Sequence, residues 1–284
     1  MSNLALRLLT AAILLPAVIT CFVLGGWFMT GLAVVAAAAS YFEFGAVVAK
    51  DDPVLRAALF VLGIAVTIIG IFVTGPATAL LTLQLAFVVI AVLTVLRAGD
   101  DLQHDFRRLA ALVFSILWIA PGLISLVRLR DLGDQHTGTA TACYLMVCMV
   151  ATWANDTCAY FAGRYLGKHK LAGTISPKKT WEGFVGGAIG VPAFLIGGHL
   201  WFDMFVPLTW TDIAILSLPI AVLGPVGDLV ESLWKRAYDI KDSGKLIPGH
   251  GGMLDRMDAI FFVAPWVLAY FVGLKPWLAT LGIG

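Results

Sequence analysis

The chain has 284 residues, 60% of them hydrophobic and only 13% charged, with a mean hydropathy of +0.92. Soluble domains are about half apolar and roughly a quarter charged, so this composition excludes one and describes a polytopic membrane protein. The formal net charge of +1 excludes a nucleic-acid binder or a polybasic surface sensor and confines any anion chemistry to local clusters.

A helix needs about 20 apolar residues to cross the hydrocarbon. Nine stretches qualify, near residues 5–26, 28–48, 57–74, 77–96, 109–127, 140–162, 184–205, 211–230 and 259–280. The expected fold class is therefore all-α, an integral membrane protein of about nine transmembrane helices. The first stretch has signal-peptide character, but no small-residue cleavage site lies suitably before the second, so a retained helix is expected. With nine spans the N-terminus and the even-numbered loops share one side. That side receives all but three of the 19 lysines and arginines, the exceptions being Arg128, Arg130 and Lys275. The positive-inside rule then makes the N-terminus and both large polar loops cytoplasmic and the C-terminus external.

Residues 1–135 are expected to form an N-terminal transmembrane region with short connections. Its one longer polar loop, RAGDDLQHDFRR at 97–108, predicts a solvated amphipathic hinge. Glu43, in the second span, has two readings: an ionisable group that faces the protein interior and marks function, or one that snorkels from the cytoplasmic end. Cys21, Cys143, Cys148 and Cys158 lie in apolar stretches without a C-x-x-C pair, which predicts buried thiols rather than a disulfide or a zinc site.

Residues 136–284 differ in kind, because 10 of the 19 basic residues fall in two loops, 164–182 and 231–258. The first follows Asn155 and Asp156, polar groups in an otherwise apolar span that need compensating partners. Arg164, Lys168, Lys170, Lys178 and Lys179 come next, opposed only by Glu182. Ser176 followed by Pro177 reads as an N-cap and first helical residue, so free backbone amides and two lysines are expected to converge on an anion. The competing reading is a topology signal touching anionic lipid.

In the second loop, a helix continuing past Asp228 puts Glu231, Ser232 and Lys235 on the same face, with Glu231 and Lys235 as an i,i+4 pair. PGHGG at 248–252 supplies glycines for positive φ or close approach to a ligand. Asp242 lies in the loop, and Asp255 and Asp258 stand about one helical turn apart at its end. Carboxylates without accompanying thiols indicate a hard cation such as Mg²⁺, one ion or two, and their mixture with lysines and arginines reads as phosphoryl or nucleotidyl transfer. His250 is either an acid or base, or a positioning group.

The run SLWKRAYDIKDSGKLIPGHGGMLDRMD, residues 232–258, resembles the signature of the phosphatidate cytidylyltransferases, also called CDP-diacylglycerol synthases. DTCAYFAGRYLGKHKLAGTISPKKTWEG, from residue 156, resembles an upstream segment of the same family, and the N-terminal half agrees in architecture alone. The resemblance implies transfer of the cytidylyl group of CTP to phosphatidate, giving CDP-diacylglycerol and pyrophosphate, with Mg²⁺, on the cytoplasmic face of a bacterial-type inner membrane. It implies Asp228 and Asp255 as foremost metal ligands, with Asp258 and Asp242 next. Lys235 and Arg236 join Asp228, Asp255 and Asp258 in the catalytic set. Asp156, Ser176, Lys178, Lys179, Ser232, Lys241, His250, Gly251, Gly252 and Arg256 are expected to contact substrate. Small residues on the helices also allow a homodimer. A CTP-dependent lipid kinase and an ion-coupled transporter are the rival readings. Asp255→Asn is expected to abolish turnover in a variant that still folds and inserts; normal pyrophosphate release by the purified variant would remove Asp255 from the metal site.

Overall fold

The computed structural model describes residues 3–73, 75–134, 142–205 and 207–282. The chain forms two compact units, Met1–Val127 with Tyr238–Arg256, and Arg128–Ala237 with Met257–Gly284. The expected boundary at 135/136 lies outside the described residues.

The first unit holds α1 (Asn3–Leu24), α2 (Gly26–Val48), α3 (Pro53–Phe72), α4 (Pro76–Leu96) and the first part of α5 (Leu102–Asp134). Between α1 and α2 the backbone turns through Gly25 and Gly26, at φ +62° and +48°, a region that favours glycine. Asp52 caps α3 by accepting from the amides of Val54 and Leu55, both at 3.1 Å, with Pro53 as the first helical residue, where its missing N–H is harmless. Asp52 also accepts from Arg97 Nε at 2.7 Å and lies 3.9 Å from Arg108 Nη1. Burial pushes its carboxyl up, but the Arg97 hydrogen bond, the Leu55 amide and the two guanidinium charges outweigh this and hold it low. Tyr41, Phe44, Leu55, Leu59, Leu112 and Ile119 pack the interior.

The segment 97–108 is largely exposed, as its composition suggests, with only Asp105 and Arg108 turned inward. Helix α5 begins within it, at Leu102. Asp105 and Arg108 are buried and paired at 2.8 Å, and Asp105 also accepts from the Gly99 amide at 2.8 Å. Its charges close the helix start by satisfying one another, which composition alone does not reveal.

The second unit contains α6 (Cys143–Leu166), a hairpin of β1 (Lys170–Ala172) and β2 (Ser176–Thr180), α7 (Trp181–Trp201), a 3₁₀ turn (Asp203–Phe205) and α8 (Trp210–Ala237). Helices α6 and α7 approach closely because α7 carries Gly183 and Gly187 at four-residue spacing. A Cβ on Gly183 would stand 2.8 Å from the Ala159 carbonyl, and one on Gly187 would run into the Asn155 side chain, the small-residue logic of membrane helix pairs.

Ser176 and Pro177 do not start a helix. They lie in β2, paired antiparallel with β1 in the register Lys170↔Thr180 and Ala172↔Ser176, and α7 starts five residues after Ser176, capped by Thr180 Oγ1 accepting from the Gly183 amide at 3.1 Å. Proline suits an edge strand as well as a first helical turn, so Ser-Pro does not discriminate between them.

The chain then forms a single turn α9 (Leu254–Met257) at the junction of the units, α10 (Ile260–Ala269), a π turn (Tyr270–Leu274) and α11 (Lys275–Thr280). A π turn brings residues five apart towards one face, and Tyr270 Oη (2.6 Å) and Lys275 Nζ (2.7 Å) both donate to the carboxylate of Asp212.

Eight segments among the described residues are long and apolar enough to cross a membrane: α1 to α5, α7, α8 and Ile260–Thr280. Helix α6, at 24 residues, is long enough but carries Asn155, Asp156 and Arg164. The fold is thus all-α apart from one small hairpin, and polytopic. Of the cysteines, Cys143 and Cys148 are buried, Cys21 and Cys158 are half-buried, and all are free thiols.

A Cβ on Gly227 of α8 would meet the Asp258 carbonyl at 2.5 Å and Ala259 Cα at 3.0 Å, both backbone, whereas one on Gly31 of α2 meets nothing within 4 Å. Gly227→Ala is expected to cost about 1–3 kcal/mol by overpacking and to lower the melting temperature in detergent by several degrees. Gly31→Ala is expected to leave it unchanged or raised, and equal melting temperatures for both variants would refute the close approach.

Candidate active site

Helix α8 continues past Asp228 to Ala237, so three- and four-residue steps gather its polar groups on one face. Ser232 Oγ donates to Asp228 Oδ1 at 3.3 Å, and Lys235 Nζ pairs with Glu231 Oε2 at 2.6 Å. Asp258, two residues before α10, accepts its own neighbour's amide, that of Ala259, on Oδ1 at 2.8 Å. Gly227 is what allows that backbone to lie against α8.

Asp228, Glu231 and Asp258 each offer an oxygen within 4.8 Å of the others. Burial, then the charges of Asp228 and Asp156, push the Asp258 carboxyl above its ordinary range, against the pull of the Ala259 amide and Lys235. Such a trio is electrostatically unfavourable by itself and fits a hard divalent cation, for which all three ligands are oxygen.

The hairpin brings basic groups to this face. Lys179 Nζ, from β2, pairs with Asp228 Oδ2 at 2.9 Å and donates to the Pro225 carbonyl at 3.0 Å. Pro225 has no N–H to give the Ala221 carbonyl one turn back; Asn155 Nδ2 lies 3.5 Å from that oxygen. The polar residue inside α6 therefore serves a backbone group freed in α8.

The next residue, Asp156, lines a cavity of about 580 Å³. Ser176, Lys178, Lys179, Thr180, Arg164 and Asp228 supply its polar lining, and Tyr160, Leu171, Phe184 and Pro225 its apolar lining. Size and mixed character suit a ligand with a phosphate end and an apolar end. Five residues singled out from sequence thus share one cavity: Asp156, Ser176, Lys178, Lys179 and Asp228. Glu231 was placed on the face of Asp228 and paired with Lys235 but not counted as a metal ligand, although its three-residue step from Asp228 was the signal for its place in the acidic trio.

The remaining expected residues belong to the segment Tyr238–Arg256 of the first unit, apart from Arg236, exposed on the last turn of α8. Asp255 Oδ2 accepts from the Ser243 amide (3.1 Å) and the Gly252 amide (2.9 Å) and lies 3.1 Å from Ser243 Oγ. Gly249 and Gly251 have φ of +76° and +87°, around a turn closed by the Ile247 amide donating to the Gly251 carbonyl at 3.0 Å. His250 is half-buried, and its carbonyl accepts from Arg256 Nε at 3.0 Å. Lys241 and Asp242 are exposed. Glu43, only 3% exposed, does not snorkel: its carboxylate accepts from the Met253 amide (2.9 Å), the Leu254 amide (3.1 Å) and Ser243 Oγ (3.0 Å).

Residues 5–274 match the model of the Cytidylyltransferase family. The phosphatidate cytidylyltransferase of Bacillus subtilis (strain 168) is 38% identical over 167 residues, 59% of this chain and 59% of that protein. Those of Staphylococcus saprophyticus (38% over 163 residues) and Staphylococcus haemolyticus (37% over 166 residues) each match across 57% of this chain and 59% of their own length. The alignments thus span about three fifths of these relatives. With the family match running from α1 to the π turn, through both basic loops and all three members of the acidic trio, the chain belongs to the cytidylyltransferase family.

Proposed function

We propose that the protein transfers the cytidylyl group of CTP to phosphatidate at the cytoplasmic face of the membrane. A lipid phosphate oxygen forms a bond to the α-phosphorus of CTP, the bond from that phosphorus to the bridging oxygen breaks, and pyrophosphate leaves. The observation that carries this reading is the acidic trio Asp228, Glu231 and Asp258 beside a lysine-lined cavity that is apolar on its other walls.

The attacking phosphate is already an anion near neutral pH, so no dedicated base is required. The chemical difficulty is bringing two polyanions together. Lys178, Lys179 and Arg164 lower that repulsion and orient the phosphates, and Ser176 offers a hydroxyl donor at the same wall. Lys235 and Lys179 hold Glu231 and Asp228 in place through their ion pairs. Tyr160, Leu171 and Phe184 provide an apolar wall for the glycerol and first acyl carbons, so that a lipid substrate keeps its chains in hydrocarbon. Mg²⁺, held by Asp228, Glu231 and Asp258, would supply neutralising charge to the triphosphate.

Detergent-purified protein given CTP, Mg²⁺ and phosphatidate is expected to release pyrophosphate and form a CDP-lipid, and omission of any one component is expected to stop both. CDP release from a lipid alcohol would assign a kinase instead. Replacing Lys178 and Lys179 together with alanine is expected to raise the KM for CTP at least tenfold, since a charge-assisted hydrogen bond contributes roughly 1.5–3 kcal/mol. An unchanged KM would return that loop to the role of a topology signal.

A further inference from the structure

Glu43 sits in the membrane-spanning helix α2, where a carboxylate ordinarily needs a cation or a pathway. Its hydrogen bonds instead go to a segment two hundred residues away in sequence. Oε1 accepts from the Met253 amide, and Oε2 accepts from the Leu254 amide and Ser243 Oγ. Those two amides lead into the turn Leu254–Met257, and a distant helix supplies the acceptors that a capping side chain normally provides.

The glycines nearby are shaped to this carboxylate. A Cβ on Gly244 would stand 2.5 Å from Oε1 and one on Gly252 2.5 Å from Oε2; for Gly244 the three nearest atoms all belong to Glu43. Ser243 also links to Asp255, whose Oδ2 takes both the Ser243 and the Gly252 amides. Within the loop Lys245 and Leu246 are exposed, and its apolar anchor is Leu254 at its end, whose amide Glu43 holds.

We propose that Glu43 is a positioning residue: it sets the conformation of the Ser243–Leu254 loop and through it the placement of Lys241 and Arg256 for the polyphosphate of a nucleotide. The functional half rests on the cytidylyl-transfer reading; the structural half does not.

Hydrogen exchange on full-length protein in detergent, without nucleotide, tests the structural half. In the wild type the Met253 and Leu254 amides are expected to be protected, and in Glu43→Gln, which keeps the size but loses an acceptor oxygen, to exchange at least tenfold faster while α3 is unchanged. Gly244→Ala, which keeps the charge but displaces it, is expected to act in the same way. Steady-state kinetics test the functional half: in both variants the KM for CTP is expected to rise about tenfold, with the KM for phosphatidate within twofold of the wild type. Unprotected amides in the wild type, or unchanged exchange in the variants, would overturn the proposal. Faster exchange with an unchanged KM for CTP would reduce Glu43 to a stability role and overturn the positioning claim. A wild type that does not turn over CTP would sink the cytidylyl-transfer reading, and the exchange comparison would still decide whether Glu43 holds the loop. If Glu43→Gln does not fold, Gly244→Ala and the wild-type protection decide.

Discussion

A carboxylate placed among apolar helices has to recover the hydration that it loses, and the buried acids of this chain do so in different ways. Asp212, 1% exposed, meets a lysine and a tyrosine at 2.7 and 2.6 Å and is a closed ion pair. Glu43 fills its oxygens with backbone amides and a hydroxyl. Asp228, Glu231 and Asp258 instead stand within 4.8 Å of one another, so that each raises the energy of its neighbours' charged forms. Lys179 and Lys235 offset part of this. The remaining demand for positive charge is what separates the trio from the other two acids.

The same demand shapes the backbone around it. For Asp258 to stand beside Asp228, the start of the last helical segment must touch α8, and Gly227 is the position that permits it. Pro225, one turn of α8 nearer the N-terminus than Leu229, leaves a carbonyl without its helical donor, and Asn155 of α6 comes within reach of it because Gly187 and Gly224 leave room for its side chain. Residues that look like scattered interruptions of apolar helices are therefore one arrangement. Glycine lets helices approach, proline frees a carbonyl, and asparagine answers it.

Much of this was legible in the sequence, for physical reasons. Helical periodicity ties Asp228, Glu231, Ser232 and Lys235 to one face irrespective of what surrounds them, and hydropathy over 20-residue windows finds the spans because bilayer thickness sets their length. Ser176-Pro177 misled because its local chemistry serves two conformations, and pairing with Lys170–Ala172 decided between them. The 97–108 segment is exposed as expected, but the pairing of Asp105 with Arg108 and of Arg97 and Arg108 with Asp52 was not legible, the latter being a long-range fact. For Glu43 an interior-facing position was one of the two readings open from the sequence, but its partners at 243, 253 and 254 have no sequence relation to it, and only the glycines at 244 and 252 hint that something presses against that loop.

The hairpin that replaced the expected helix start changes how the lysines work. At a helix N-terminus, Lys178 and Lys179 would have been secondary to a cone of free amides. On a strand, successive side chains point to opposite sides, and Lys179 is half-buried against Asp228 while Lys178 is exposed at the cavity. One lysine is committed to an acid of the site and the other is open to an incoming anion. Glu182, in the first turn of α7, fastens the start of the hairpin by accepting from the Lys168 and His169 amides at 3.0 and 3.2 Å and pairing with His169 Nδ1 at 2.6 Å. Together with the Thr180 cap, this fixes both ends of the hairpin to α7 by hydrogen bonds that need no ligand. On the proposed cytidylyl transfer, a wall held in this way would lose little conformational freedom when a polyanion arrives, so more of the attraction between lysine and phosphate would be left to align the reacting groups.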